Sequence, residues 1–153
     1  MKMNRVVALI GLLAYIGSFF LIAVRETTAT SSDAGLTGYW CAYLSLVHPW
    51  AHGGLEMLHD KPLAYFGVLF SGWINPVFLI TAAMLWVRPH GRAGAFLRIV
   101  LILMLPAVWL VFKELQLRPR PGYWLWTAAI LVVLFSTMLA QKERDMNVAA
   151  VAA

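Results

Sequence analysis

Four stretches of this chain are too long and too apolar to sit in water. Residues 6–24, 63–87 and 123–140 contain no Asp, Glu, Lys or Arg. A fourth, 95–115, carries only Arg98 near its start and Lys113 and Glu114 near its end. A helix needs about 20 apolar residues to cross about 30 Å of hydrocarbon. Lipid gives a backbone no hydrogen-bond partners, so segments of this kind must be helical. Barrel strands would show alternating segments of about 10 residues, and the sequence has none. The composition agrees. The 153 residues are 61% hydrophobic and 12% charged, with a mean hydropathy of +0.76. A soluble domain has about 45–50% apolar and about 25% charged residues. The chain is therefore neither a soluble domain nor disordered. Cys41 is the single cysteine, which excludes a disulfide-stapled mini-protein.

The predicted fold is an all-α integral membrane protein with one domain over 1–153. Four transmembrane helices form an antiparallel up-down bundle, and 25–62 is one long, partly structured extracytoplasmic loop. Residues 88–92, with Pro89 and Gly91, and residues 116–122, with Pro119 and Pro121, are short connections. Short loops make consecutive helices antiparallel neighbours. The basic start, Lys2 and Arg5, resembles a signal peptide. The apolar run that follows exceeds the usual core of about 7–15 residues, so an uncleaved anchor is expected. This layout is similar to that of small four-span bacterial membrane proteins, which implies the inner membrane.

Orientation follows the distribution of Lys and Arg. Lys2, Arg5, Arg88, Arg92, Arg98, Lys142 and Arg144 fall on one side. Arg25, Lys61, Lys113, Arg118 and Arg120 fall on the other. The small excess puts both termini in the cytoplasm. The net charge of +5 suits anionic headgroups. The basic residues sit at span ends and make no single face, so nucleic acid is not an expected partner. The expected partners are the lipid bilayer, other membrane proteins and a second copy of the chain.

Within the outer loop, the run Tyr39-Trp40-Cys41-Ala42-Tyr43-Leu44-Ser45-Leu46-Val47 is too short to span and too apolar for open water. It belongs at the membrane interface, where Trp and Tyr are favoured. Just beyond it, His52, Glu56 and His59 share one face if 52–60 is helical. Two imidazoles and a carboxylate could hold a transition metal, the one cofactor the sequence accommodates without requiring it. Glu56-x-x-His59 has the spacing of di-metal carboxylate bundles, but those need a second such motif. Gly53 and Gly54 count against the helix, and the simpler reading is a wet loop facing headgroups. His48, His52 and His59 lie outside the spans, as does His90, so haem ligation within the membrane is not expected. Cys41 could join a copper site with His and Met57, or bridge to a second chain, but a small buried hydrophobe is the commoner role.

Inside the spans, Asn75-Pro76 lies near the middle of 63–87 and Pro106 near the middle of 95–115. Proline removes an N–H and disturbs the carbonyl four residues back. Lipid cannot solvate an amide, so Asn75 is expected to point inward. Two kinked helices at one depth can form a transporter site, or they can be structural kinks, in which case Asn75→Leu is expected to be tolerated. Arg98 and Lys113 are near enough to span ends to snorkel. Ser18, Ser71 and Ser136 have no His within a span to activate them. No nucleophile elbow, phosphate loop or zinc-protease helix is present. The small-residue pairs Ala14/Ser18 and Gly67/Ser71 allow close helix approach. The predicted role is a non-enzymatic accessory or interaction subunit of a membrane system. The alternative is a small transporter or metal-handling protein using the outer loop and the Asn75/Pro106 region.

Overall fold

A computed structural model describes residues 3–26, 35–87 and 92–152. Among these residues the chain is mostly helical, with six α-helices and three short strands. The helices are α1 (Met3–Ser18), α2 (Gly38–Val47), α3 (His52–Asp60), α4 (Pro62–Val87), α5 (Arg92–Glu114) and α6 (Pro121–Ala152). The strands are β1 (Ile22–Glu26), β2 (Leu36–Thr37) and β3 (Leu117–Pro119), and a 3-10 turn, His48–Trp50, joins α2 to α3.

Among the described residues, two helices are long and apolar enough to cross a bilayer, α4 and α5. Their 26 and 23 residues correspond to about 39 and 35 Å. Both continue through their prolines, Pro76 and Pro106. The apolar part of α6, Pro121–Ser136, is shorter.

The expected first span, 6–24, does not form as one helix. α1 stops at Ser18 after 16 residues, about 24 Å of helix. The chain then becomes β1, so the fold is not purely helical. β1 is the middle strand of a three-stranded antiparallel sheet in the order β2-β1-β3. Its partners are Val24 with Pro119, Arg25 with Arg118 and Glu26 with Leu117 on one side, and Ile22 with Thr37 on the other. Backbone that leaves a helix in apolar surroundings must find new partners, and β1 finds them on both flanks. Pro119, which cannot donate a ladder bond, lies on an edge strand.

The helices pack as two antiparallel pairs. α1 lies along α6 and α4 lies along α5. Each pair closes at a glycine. A Cβ on Gly11 would sit 2.8 Å from Val133, and one on Gly67 would sit 2.7 Å from Val111. The second contact puts the Gly67/Ser71 pair to use within the chain. The Arg5 guanidinium lies 5.7 Å from the Trp86 ring centre, so α1 begins level with the end of α4. The core between the pairs is built on Ile74, Phe78, Leu101, Ile130 and Val133, all fully buried.

The outer loop folds back onto this core. The backbone N–H of Gly38 donates to the Leu21 carbonyl, and that of Tyr39 donates to the Phe19 carbonyl. α2 therefore starts where α1 ends. It then packs along the first half of α4, with Ser45 against Gly72.

Candidate functional site

Asn75 sits halfway along α4 and is 8% exposed. Its side chain joins three helices. The Tyr15 hydroxyl of α1 donates to Oδ1 at 2.9 Å. The Trp126 indole N–H of α6 donates to the same oxygen at 3.0 Å. Nδ2 donates to the Ser71 carbonyl one turn back, at 3.3 Å. An indole N–H can only donate, so the atom facing Trp126 has to be the oxygen. This fixes the amide orientation. Both oxygen lone pairs are used, and one of the two amide hydrogens is used. The expectation that Asn75 points inward matches this geometry.

Above Asn75 is a cavity of about 250 Å³, bounded by the end of α1, the sheet, α2, α3, α4, α5 and the start of α6. Asn75 and Ser71 contribute its polar patch on α4, and Ser45, Cys41 and His48 line it from the loop side. The opposite wall is aromatic: Phe112, Tyr123 and Trp126. Phe112 and Tyr123 meet edge-to-face at 4.6 Å, and Tyr123 lies 5.7 Å from Trp126. Among the described residues, no Asp, Glu, Lys or Arg lines the cavity. Burial pushes the Cys41 thiol up from its ordinary value of 9.0 to about 11, so it is an un-ionised, small apolar group at neutral pH. Its S–H points towards the Leu36 carbonyl, 4.0 Å away.

Beside the aromatic wall, the Tyr123 and Thr127 hydroxyls are one turn apart on α6. Both oxygens are buried, and neither closes a hydrogen bond. The two hydroxyls face each other as a donor–acceptor pair, short of full hydrogen-bond geometry.

The other sequence-predicted residues lie elsewhere. Residues 52–60 are helical despite Gly53 and Gly54. Gly54 packs against the carbonyls of His48 and Pro49, where a Cβ would not fit. The side chain of His52 lies outside the described residues. Glu56 and His59 are exposed, and His59 Nδ1 pairs with the Asp60 carboxylate at 2.9 Å. Among the described residues no three His, Cys, Asp or Glu side chains group as metal ligands. Pro76 is half-buried next to Asn75, whereas Pro106 is on the exposed face of α5 and does not line the cavity. The structure thus brings Asn75 together with Tyr15, Ser71 and Trp126, and not with Pro106. Residues 88–91, with His90, and the polar run 27–34 are outside the described residues.

Tyr15 and Trp126 were not legible as partners of Asn75. One signal was available: Tyr15 is the single residue with a strong side-chain donor in the first half of 6–24, and a buried amide oxygen needs donors. Comparison of the chain with protein families, curated proteins and solved structures finds no match.

Proposed function

We propose that this chain is a small polytopic protein of a bacterial inner membrane, with both termini in the cytoplasm, that acts without catalysis as an accessory or interaction subunit of a membrane system. In this reading α4 and α5 are two of four crossings. α1 together with β1, and the apolar part of α6, supply the others. β1 can take part because its backbone is paired on both flanks, which is the condition for non-helical chain at membrane depth.

One observation carries the interaction role. The outward face of α2 bears Tyr39, Trp40 and Tyr43, exposed by 59%, 51% and 47%. Trp40 stands edge-to-face with both tyrosines at 5.8 Å. Large rigid rings with polar tips are enriched in the buried parts of protein contacts. α2 is held rigidly from behind by its backbone contact with α4, so this ring surface is presented in one geometry. Photo-crosslinking tests the reading. A benzophenone amino acid in place of Trp40 should give one discrete protein adduct in native membranes, from a chain that co-purifies in stoichiometric amount. The same probe in place of Leu103, on the exposed face of α5, should give lipid adducts only. Lipid adducts alone at both positions would refute the interaction role, and a band at twice the chain mass would identify a second copy as the partner.

The second reading, a small transporter or metal-handling protein, has support from one observation, the cavity above Asn75. Its outer-loop component lines that cavity through Cys41, Ser45, His48 and Met57, whereas Pro106 and the exposed Glu56 and His59 stand apart from it.

A further inference from the structure

We infer that the cavity above Asn75 is a binding site for a neutral, lipid-soluble molecule of about one substituted ring, held by a carbonyl oxygen that accepts from the Asn75 amide. This goes beyond the interaction role, which uses the opposite, outward face of α2. Size is the first argument. An apolar cavity of about 150 Å³ holds benzene, so 250 Å³ takes a ring with several small substituents. Charge is the second. Among the described residues no ionised side chain lines the cavity, so a carboxylate or an ammonium group would enter unpaired at a large desolvation cost.

The polar end of the ligand follows from the Asn75 hydrogen bonds. Oδ1 already accepts from Tyr15 and Trp126, so it has no capacity left for a ligand donor. Nδ2 has given one hydrogen to Ser71, and no described residue accepts the second. Asn75 is more than nine-tenths buried, and the space it borders is this cavity. The free group is thus an N–H donor, fixed in direction before any ligand arrives, and it calls for an acceptor. A pre-oriented donor loses little freedom on binding. Phe112, Tyr123 and Trp126 provide faces and edges for a flat body. A carbonyl on a ring matches both features.

Duroquinone is a suitable probe, because its ring is fully substituted and offers the Cys41 thiol no position for addition. Durene, the same tetramethyl ring without carbonyls, is its control. Titration calorimetry on the full chain in detergent should show saturable one-to-one binding of duroquinone. Durene should bind about tenfold more weakly, the value of one hydrogen bond to a fixed neutral donor. Asn75→Leu should bring the two affinities together. Ala42→Phe fills the cavity from α2 without touching the Asn75 contacts, and it should abolish binding of both, so the test does not depend on Asn75→Leu folding. Equal affinities for duroquinone and durene in the unmodified chain would overturn the assignment of the carbonyl to Asn75. Absence of saturable binding, or unchanged binding in Ala42→Phe, would overturn the cavity as the site.

Discussion

Asn75→Leu is the substitution for which sequence and structure give different expectations. Taken alone, an amide in hydrocarbon is a cost, and leucine should relieve it. The structure changes the sign, because the substitution leaves two donors behind. The Tyr15 hydroxyl belongs to a residue only 3% exposed and has Asn75 as its acceptor. A buried donor stripped of its partner costs about 1–3 kcal/mol. The Trp126 N–H is partly buried beside the cavity, so its loss is nearer the average of about 0.6 kcal/mol for polar contacts between membrane helices. The leucine side chain recovers part of this by apolar burial. A net loss of about 1–2 kcal/mol follows from these two terms. The paired variant Tyr15→Phe with Asn75→Leu removes donor and acceptor together and should recover about 1 kcal/mol relative to the sum of the single changes. Unfolding in mixed micelles of rising SDS fraction, followed by helical circular dichroism, measures all four corners of the cycle. Strict additivity of the single variants, or Asn75→Leu more stable than the unmodified chain, would refute the role given to the Tyr15 bond.

Gly72→Leu should lower stability by about 1–3 kcal/mol and separate α2 from α4, since a Cβ there would lie 2.5 Å from the Ser45 carbonyl; a thermal melt unchanged from the parent contradicts the contact. Cys41 should react slowly with a membrane-impermeant maleimide at neutral pH, its rate rising about tenfold per pH unit until the thiol ionises at about 11. A cysteine at the exposed Glu56 position, in a Cys41→Ala background, should react far faster, and equal rates would contradict burial. Because the folded thiol ionises above its ordinary 9.0, the unfolded chain loses its proton first, so this group's contribution to stability is complete below pH 9 and falls between about 9 and 11. Thr127→Val removes a buried hydroxyl that closes no hydrogen bond and should raise stability by about 0.5–1 kcal/mol; a lower melting temperature would reveal a partner for it. Reporter fusions after residue 140 and within 27–34 should report opposite sides of the membrane, and same-side signals end the four-span arrangement.

The apolar runs 63–87 and 95–115 were readable as α4 and α5 to within three residues at each end, because length and apolarity decide such helices locally. The run 6–24 is just as apolar, so nothing local marks Ser18 as the end of α1. That end is set by β1, whose partners lie at 36–37 and 117–119, and pairing at such separation leaves no local trace. The exposed aromatic character of 39–47 was readable from its rings, but its seat beside Gly72 was not, since a glycine does not name its neighbour. At the site, solvation alone placed Asn75 inward. Its link to Tyr15 and Trp126 depends on the relative register of α1, α4 and α6, which no single helix encodes. Pro106 paired with Asn75 by depth, but depth does not fix which side of α5 a residue faces.

The pairing of α1 with α6, and of β1 with β3, sets the order in which the molecule can be assembled. A ribosome delivers α1 first and α6 last among the six helices, with the α4/α5 hairpin between them. α4 and α5 are consecutive and can pack as soon as both have emerged. α1 has to wait with Gly11 uncovered until Ala129 and Val133 arrive, and Val24 has to wait for Pro119. Contacts this far apart in the chain form late and slowly, and an apolar helix with an open glycine face is prone to wrong partners in the interval. A nascent chain halted before α6 would therefore hold a finished hairpin and an orphaned first helix.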